Sequence, residues 1–335
     1  LNVNGIQNTK VTLSGNVYGN TVAINNGGTL ELAGSTNVNA LNFASKGGVL
    51  NITGDANHTI GQVNIVSHTG NTANINVAST VGDNSSRIIT LGVVGDSATT
   101  GAYLDLLKVN PRENNYARLE LSGNSYIKTI ELGANSVLQL DNGSYKFNNV
   151  NPMLDGNGIL NIDGNVTLES AANNTEVLFG NSTKKLESIG LAKNATLALG
   201  DNVNLYAATM DITSGNQISF NGTHKFFAPN NVALSSVDLA AGGNLTLLSD
   251  LNSNQINLGD NSILHITSNV TSSTGVNPVN NNGNVKLYFD NTSPITVQAN
   301  MGNTQIIDEV YLTGTDVTID NGSDIYSKKF IFATN

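Results

Sequence analysis

One phrase recurs along this 335-residue chain and limits what it can fold into: a short apolar strand, a Gly/Asn turn, then a strand of the form x-Leu-x-Leu. It appears as TVAI-NNGG-TLEL (21–32), ALNF-ASKGG-VLNI (40–52) and TIEL-GANS-VLQL (129–140). It returns as SIGL-AKNA-TLAL (188–199), SVDL-AAGG-NLTL (236–247) and QINL-GDNS-ILHI (255–266). With weaker matches included, second strands begin at 29, 49, 74, 103, 118, 137, 159, 176, 196, 217, 244, 263 and 285, a mean step of about 21 residues. Within each strand apolar and polar residues alternate, the period of one buried face. The pairs Leu30/Leu32, Leu50/Ile52, Leu138/Leu140 and Leu264/Ile266 face inward. Glu31, Asn51, Gln139 and His265 between them face outward. No stretch shows a 3.6-residue period over ten residues, so helix is expected to be nearly absent.

A unit of two or three short strands cannot bury a core alone, but stacked units bury a continuous one. The steps are too irregular for a leucine-rich repeat and too short for propeller blades. The pattern predicts an all-β, right-handed parallel β-helix, a solenoid of roughly 15 rungs at about 4.8 Å spacing. No composition shift marks a linker, so residues 1–335 read as a single domain.

Composition fits this reading. The chain has 34 Gly and 55 Asn, and these residues tolerate the left-handed backbone of sharp corners. Asn also stacks in amide ladders along a cross-β direction, which suggests ladders in the interior. The five Pro are expected outside strands. No Cys is present, which removes disulfide scaffolds, thiolate metal sites and Cys nucleophiles. A net charge of -10 argues against nucleic acid as a partner. No apolar run spans a bilayer, so no membrane insertion is expected. The opening LNVNGIQNTK lacks a basic segment followed by an apolar one, so no signal peptide is read in it.

The repeated phrase in an Asn/Gly-rich, Cys-free chain resembles autotransporter passenger domains. Phrases such as GVLNITGDANHTIGQVNI (48–65) and LGANSVLQLDNGSYKF (132–147) are most similar to rickettsial surface cell antigens of the outer-membrane-protein A and B type. The likeness covers nearly the whole chain and rests on composition and period, with no invariant catalytic residue. It implies a passenger carried out by a C-terminal membrane barrel, displayed on the bacterial surface or released after cleavage. Such passengers are commonly adhesins, so the implied partner is a host cell-surface protein or glycan. The signal peptide and barrel are missing, so a fragment of a longer precursor is expected, and a monomer. Absence of Cys suits passage through an oxidising periplasm.

The search for chemistry is mostly negative, and neither a cofactor nor a metal is expected. The four His, at 58, 68, 224 and 265, show no zinc spacing. There is no G-x-S-x-G elbow and no P-loop. Asp141-Asn142-Gly143, Asp155-Gly156-Asn157-Gly158, Asp163-Gly164 and Asp320-Asn321-Gly322 suggest calcium loops, but tight corners want the same residues. Enzymatic β-helices place paired carboxylates on one outward face. The outward positions run Glu31, Asn51, Asp105, Glu120, Gln139, Asn161, Ala198, Thr246 and His265, which puts Asp105 beside Glu120 on adjacent rungs. The chain is read as a non-enzyme. A polysaccharide-acting enzyme is the alternative, as is a non-binding stalk or coat.

Interruptions of the period are the better places for a partner surface. The step from 74 to 103 is the longest, and KVNPRENNYARLE (108–120) follows as the densest charged segment. Lys108, Arg112, Glu113, Tyr116 and Arg118 are the candidate contact residues there, since Arg and Tyr often anchor interfaces. Phe226 and Phe227 in THKFFAPNN (223–231) are further candidates; in a strand they face opposite sides, one toward the core.

Overall fold

A computed structural model describes the chain except for residues 5–8, 45, 55, 67–71, 79–87, 97–101, 112–114, 172–175, 281–282 and 333–335. The described residues contain strands, turns and bends and no helix. Every strand pairing with a stated register is parallel, and partners lie about one repeat apart in sequence. This is the expected β-solenoid, with about 14 turns in all. The chain groups into two compact units, Leu1–Glu187 and Ser188–Asn335.

In unit 1 each turn passes through three stacked strand columns. The first column holds Lys10–Leu13, Thr29–Leu32, Gly48–Ile52, Ala73–Val77 and Leu104–Val109, then 129–132. The second holds 36–38, 58–60, 89–91, Ala117–Leu121, Ser136–Leu140 and Ile159–Ile162. The third holds 21–24, 40–43, 62–65, 93–94, 125–127 and 143–147. Alternation sends one side chain in and the next out. Leu30, Leu50, Ile75, Leu107 and Ile130 stack in register and are all buried. Leu119, Leu138 and Leu160 do the same in the second column.

Unit 2 repeats the arrangement. Thr223–Phe227, Asn244–Leu247, Ile263–Ile266, Lys286–Phe289, Ile307–Leu312 and Ser327–Phe332 form one column. Its inward line runs Leu245, Leu264, Leu287 and Val310, all buried.

The repeated phrase does not always sit at the same corner. In TVAI-NNGG-TLEL and ALNF-ASKGG-VLNI the turn joins the third column to the first. In TIEL-GANS-VLQL it joins the first column to the second. Long links between 77 and 89 and between 94 and 104 separate the two phases. The list of outward residues that assumes one column therefore mixes faces. Lys108, not Asp105, stacks on Asn76, and Glu120 lies between Thr90 and Gln139. The expected Asp105–Glu120 pair does not exist; Asp105 Oδ2 instead accepts the backbone N–H of Ala73 at 2.8 Å.

Asn does two jobs. Asn26, Asn135, Asn194, Asn202 and Asn261 take left-handed backbone at φ 55–62°. Other Asn side chains tie one turn to the next. Ladder bonds join Asn25 to Asn4 at 2.7 Å, Asn39 to Asn20 at 2.9 Å, Asn64 to Asn42 at 2.8 Å and Asn76 to Asn51 at 2.9 Å. These ladders lie at exposed or half-buried outward positions, not in the interior as expected. The reason is volume: inward positions are taken by Leu, Ile, Val and Phe, which give more per buried atom than an amide that must keep its partners. Corner amides also accept the backbone N–H of the next turn, as Asn124 does from Ser144 at 2.8 Å and Asn142 from Asn165 at 2.7 Å.

One corner shows why Gly is required. Asn39, Gly61 and Gly92 stack where the second column bends into the third. A Cβ on Gly92 would fall far inside contact distance of the Gly61 carbonyl oxygen. Two Pro, Pro152 and Pro278, end strands rather than lying outside them, at positions where the ladder no longer needs an N–H.

Candidate functional site

The residues expected to form a partner surface around 108–118 are divided between columns. Lys108 belongs to the strand Leu104–Val109 and pairs with Glu131 at 3.1 Å. Arg118 belongs to Ala117–Leu121 in the next column, where its guanidinium donates to Gln139 Oε1. Tyr116 is half-buried beside it, and burial raises its hydroxyl above the ordinary range, with Arg118 opposing. Arg112 and Glu113 lie outside the described residues. Phe226 is buried and meets Phe220 edge-on at 5.4 Å, while Phe227 is half-buried. In this pair it is Phe226 that joins the core.

A polar cluster lies instead on the outward side of the second column of unit 1. Glu120, Gln139 and Asn161 stack there in register. Asp141 and Asp163 are the first residues past the strand on consecutive turns, and their backbone N–H groups donate to Leu121 and Leu140. Gln139, expected to face solvent, is only 5% exposed. Its Nε2 donates to Asp141 Oδ1 at 3.0 Å and Asp163 Oδ2 at 3.4 Å, which bridges the two turns. Glu120 hydrogen-bonds Asp141. Burial first, then the Asp141 charge, holds its carboxyl above the usual range, while Arg118 opposes the shift. A carboxyl raised by burial and by an acidic neighbour is the kind of group that serves as a general acid. The 21- and 22-residue spacings from Glu120 to Asp141 to Asp163 carried this signal in the sequence. It was masked because Asp141 and Asp163 also satisfy the rule for corners.

The other Asp–Gly corners use their side chains to hold chain. Asp155 Oδ1 accepts the N–H of Lys185 at 2.9 Å, and Asp320 Oδ2 accepts from Gln298 at 3.0 Å.

In unit 2, His265 is not simply solvated. It stacks on Tyr288 at 4.8 Å, Tyr288 stacks on Tyr311 at 4.2 Å, and His265 Nδ1 sits 2.7 Å from Asp290 Oδ2. Tyr311 donates to Glu309 at 2.7 Å, and Lys286 pairs with Glu309 at 3.0 Å. The ring faces are used on one another, so this ladder stiffens the column more than it offers a platform.

A shallow groove opens in unit 1 beside the third column, lined by Val93, Asp96, Asn124, Tyr126, Ser144 and Lys146. It adjoins the link between 94 and 104, one of the interruptions of the period. Compared with known proteins, the chain matches no family model, no curated protein and no solved structure.

Proposed function

We propose that the chain is the surface-displayed passenger of a bacterial autotransporter and acts as an adhesin toward a host cell-surface protein or glycan. The observation that carries this reading is the solenoid with amide-rich outward columns, whose repeat is interrupted between strands at 77–89, 94–104 and 109–117. Such a scaffold holds loops at fixed positions while its core repeats unchanged. The resemblance to passenger domains and the Cys-free composition support it further. The test is binding of fluorescent protein to intact mammalian cells, beside versions in which 110–116 or 96–102 is replaced by a short Gly/Ser link. Saturable binding lost with one replacement is the expected result. No binding by the parent protein sinks the adhesin reading.

A second reading has its own observation in the Glu120–Asp141 pair. A carboxyl held above its usual range by burial and a neighbouring acidic side chain suits the general acid of a polysaccharide-acting enzyme. If so, incubation with neutral polysaccharides releases reducing ends, and Glu120→Gln slows release by roughly 10²–10⁴-fold. Equal release by the parent and the variant would remove Glu120 from the chemistry.

A further inference from the structure

The third column of unit 1 ends at a neck formed by residues 95, 96 and 102. Gly95 leaves the strand at φ 68°, and the N–H of Asp96 donates to the carbonyl of Ala102 at 2.7 Å. The groove beside this neck has a volume of about 210 Å³. Pockets for drug-sized ligands run to roughly 300–1,000 Å³, so this one suits a single small ring.

Its walls have two characters. Val93 is 41% exposed, although Leu91 and Val94 beside it are fully buried. Tyr126 supplies a ring that is held in place twice. Its hydroxyl donates to the Ala171 carbonyl at 3.1 Å, and its ring meets Tyr103 edge-to-face at 5.5 Å. Beside this apolar wall, on the same outward face, are donors and acceptors, with Lys146 the register partner of Tyr126 on the next turn. The Asn124 carboxamide is fixed by the bond from the Ser144 N–H to its Oδ1, and its Nδ2 has no protein partner among the described residues. Lys146 sits 3.5 Å from Glu169, too far for a strong charge-assisted bond, so its ammonium retains donors for a ligand.

We propose that this groove binds one pyranose ring of a neutral glycan. The proposal rests on the adhesin reading and names its ligand class. A pyranose has one apolar face and a rim of hydroxyls that both donate and accept. Tyr126 and Val93 meet the face; Asn124 and Lys146 donate to the rim, and the Ser144 hydroxyl accepts from it. Phosphate or a polyanion fits poorly, because Asp96 and Glu169 flank Lys146 and the chain carries a net charge of -10. The two tethers on Tyr126 mean that little ordering is needed on binding.

The test is titration of the whole chain with methyl glycosides of glucose, galactose, mannose and N-acetylglucosamine, with methyl glucuronide as the anionic comparison, followed by NMR. At least one neutral glycoside binds saturably. Tyr126→Ala weakens it tenfold or more, and Tyr126→Phe, which keeps the ring, weakens it threefold or less. If no neutral glycoside binds at millimolar concentration, or if Tyr126→Ala leaves binding unchanged, the proposal is wrong. If Tyr126→Ala does not fold, Lys146→Ala takes its place, with the same tenfold criterion. Cell binding separates the two readings. Binding that survives enzymatic removal of surface glycans keeps the adhesin and overturns the groove. Glycoside binding without cell binding keeps the groove and overturns the adhesin.

Discussion

Replacing Leu138 by Asp is expected to unfold unit 1. Leu138 is fully buried and stacks between Leu119 and Leu160, so the carboxylate would have apolar neighbours above and below. An uncompensated charge in such a place costs more than about 4 kcal/mol, at the far end of single-residue effects. Ordinary domains have only about 5–15 kcal/mol in total. The milder Leu138→Ala removes contacts and leaves a cavity, for about 2–5 kcal/mol. Far-UV circular dichroism with urea titration checks both. Hydrogen exchange adds which turns open, since a stacked repeat loses its nearest neighbours first. An Asp variant that melts like the parent would show that the inward assignment of this column is wrong.

The second large effect is acid destabilisation through His58. This side chain is fully buried, stacked between Thr36 and Ile89, and neither ring nitrogen has a hydrogen-bond partner among the described residues. The Thr36 hydroxyl oxygen beside it is equally unpartnered. Burial lowers the imidazole pKa to about 4. Above pH 6.5 neither the folded nor the unfolded chain is charged at this residue, and stability is at its full value. Between pH 6.5 and 4 the unfolded chain takes up a proton that the folded chain refuses. Stability therefore falls with falling pH by about 1.4 kcal/mol per unit, reaching a loss of about 3 kcal/mol near pH 4. Glu120 acts in the opposite sense, because its raised carboxyl pKa favours the folded state in acid and that gain is lost as pH rises. The difference between His58→Leu and the parent isolates the histidine. Urea midpoints at pH 7, 5.5 and 4.5 should diverge by this amount; parallel curves would mean that His58 is already protonated or solvated in the fold.

Much of this fold was legible before any coordinates. Period-2 alternation located strands such as Thr29–Leu32, Thr196–Leu199 and Ile263–Ile266 to the residue. That succeeds because a strand with one buried face must alternate, whatever lies above it. The burial of His58 and His224 obeys the same alternation once the inward residue is known: each precedes a buried residue, Ile60 and Phe226, by two. What local pattern could not give was phase. Which corner a Gly/Asn turn occupies depends on how the link lengths vary from turn to turn, and the change falls across the long links at 77–89 and 94–104. That shift separated Asp105 from Glu120 and hid the Glu120–Asp141 contact. Gln139 reads as solvated from alternation alone, yet its buried state depends on Asp141 just past its own strand and Asp163 from the next turn.

The change of corner has a wider consequence. Each strand takes its register from the strand beneath it, not from a count along the chain, so added length at a corner is absorbed within one turn. Added length inside a strand is not: one extra residue within Thr29–Leu32 would send Leu32 outward and a polar neighbour inward. Sequence drift in such a molecule is therefore channelled. The interior tolerates little beyond exchange among aliphatic residues, while the excursions can lengthen, shorten or be replaced outright, and the surface seen by other molecules can be rewritten without disturbing what holds it up.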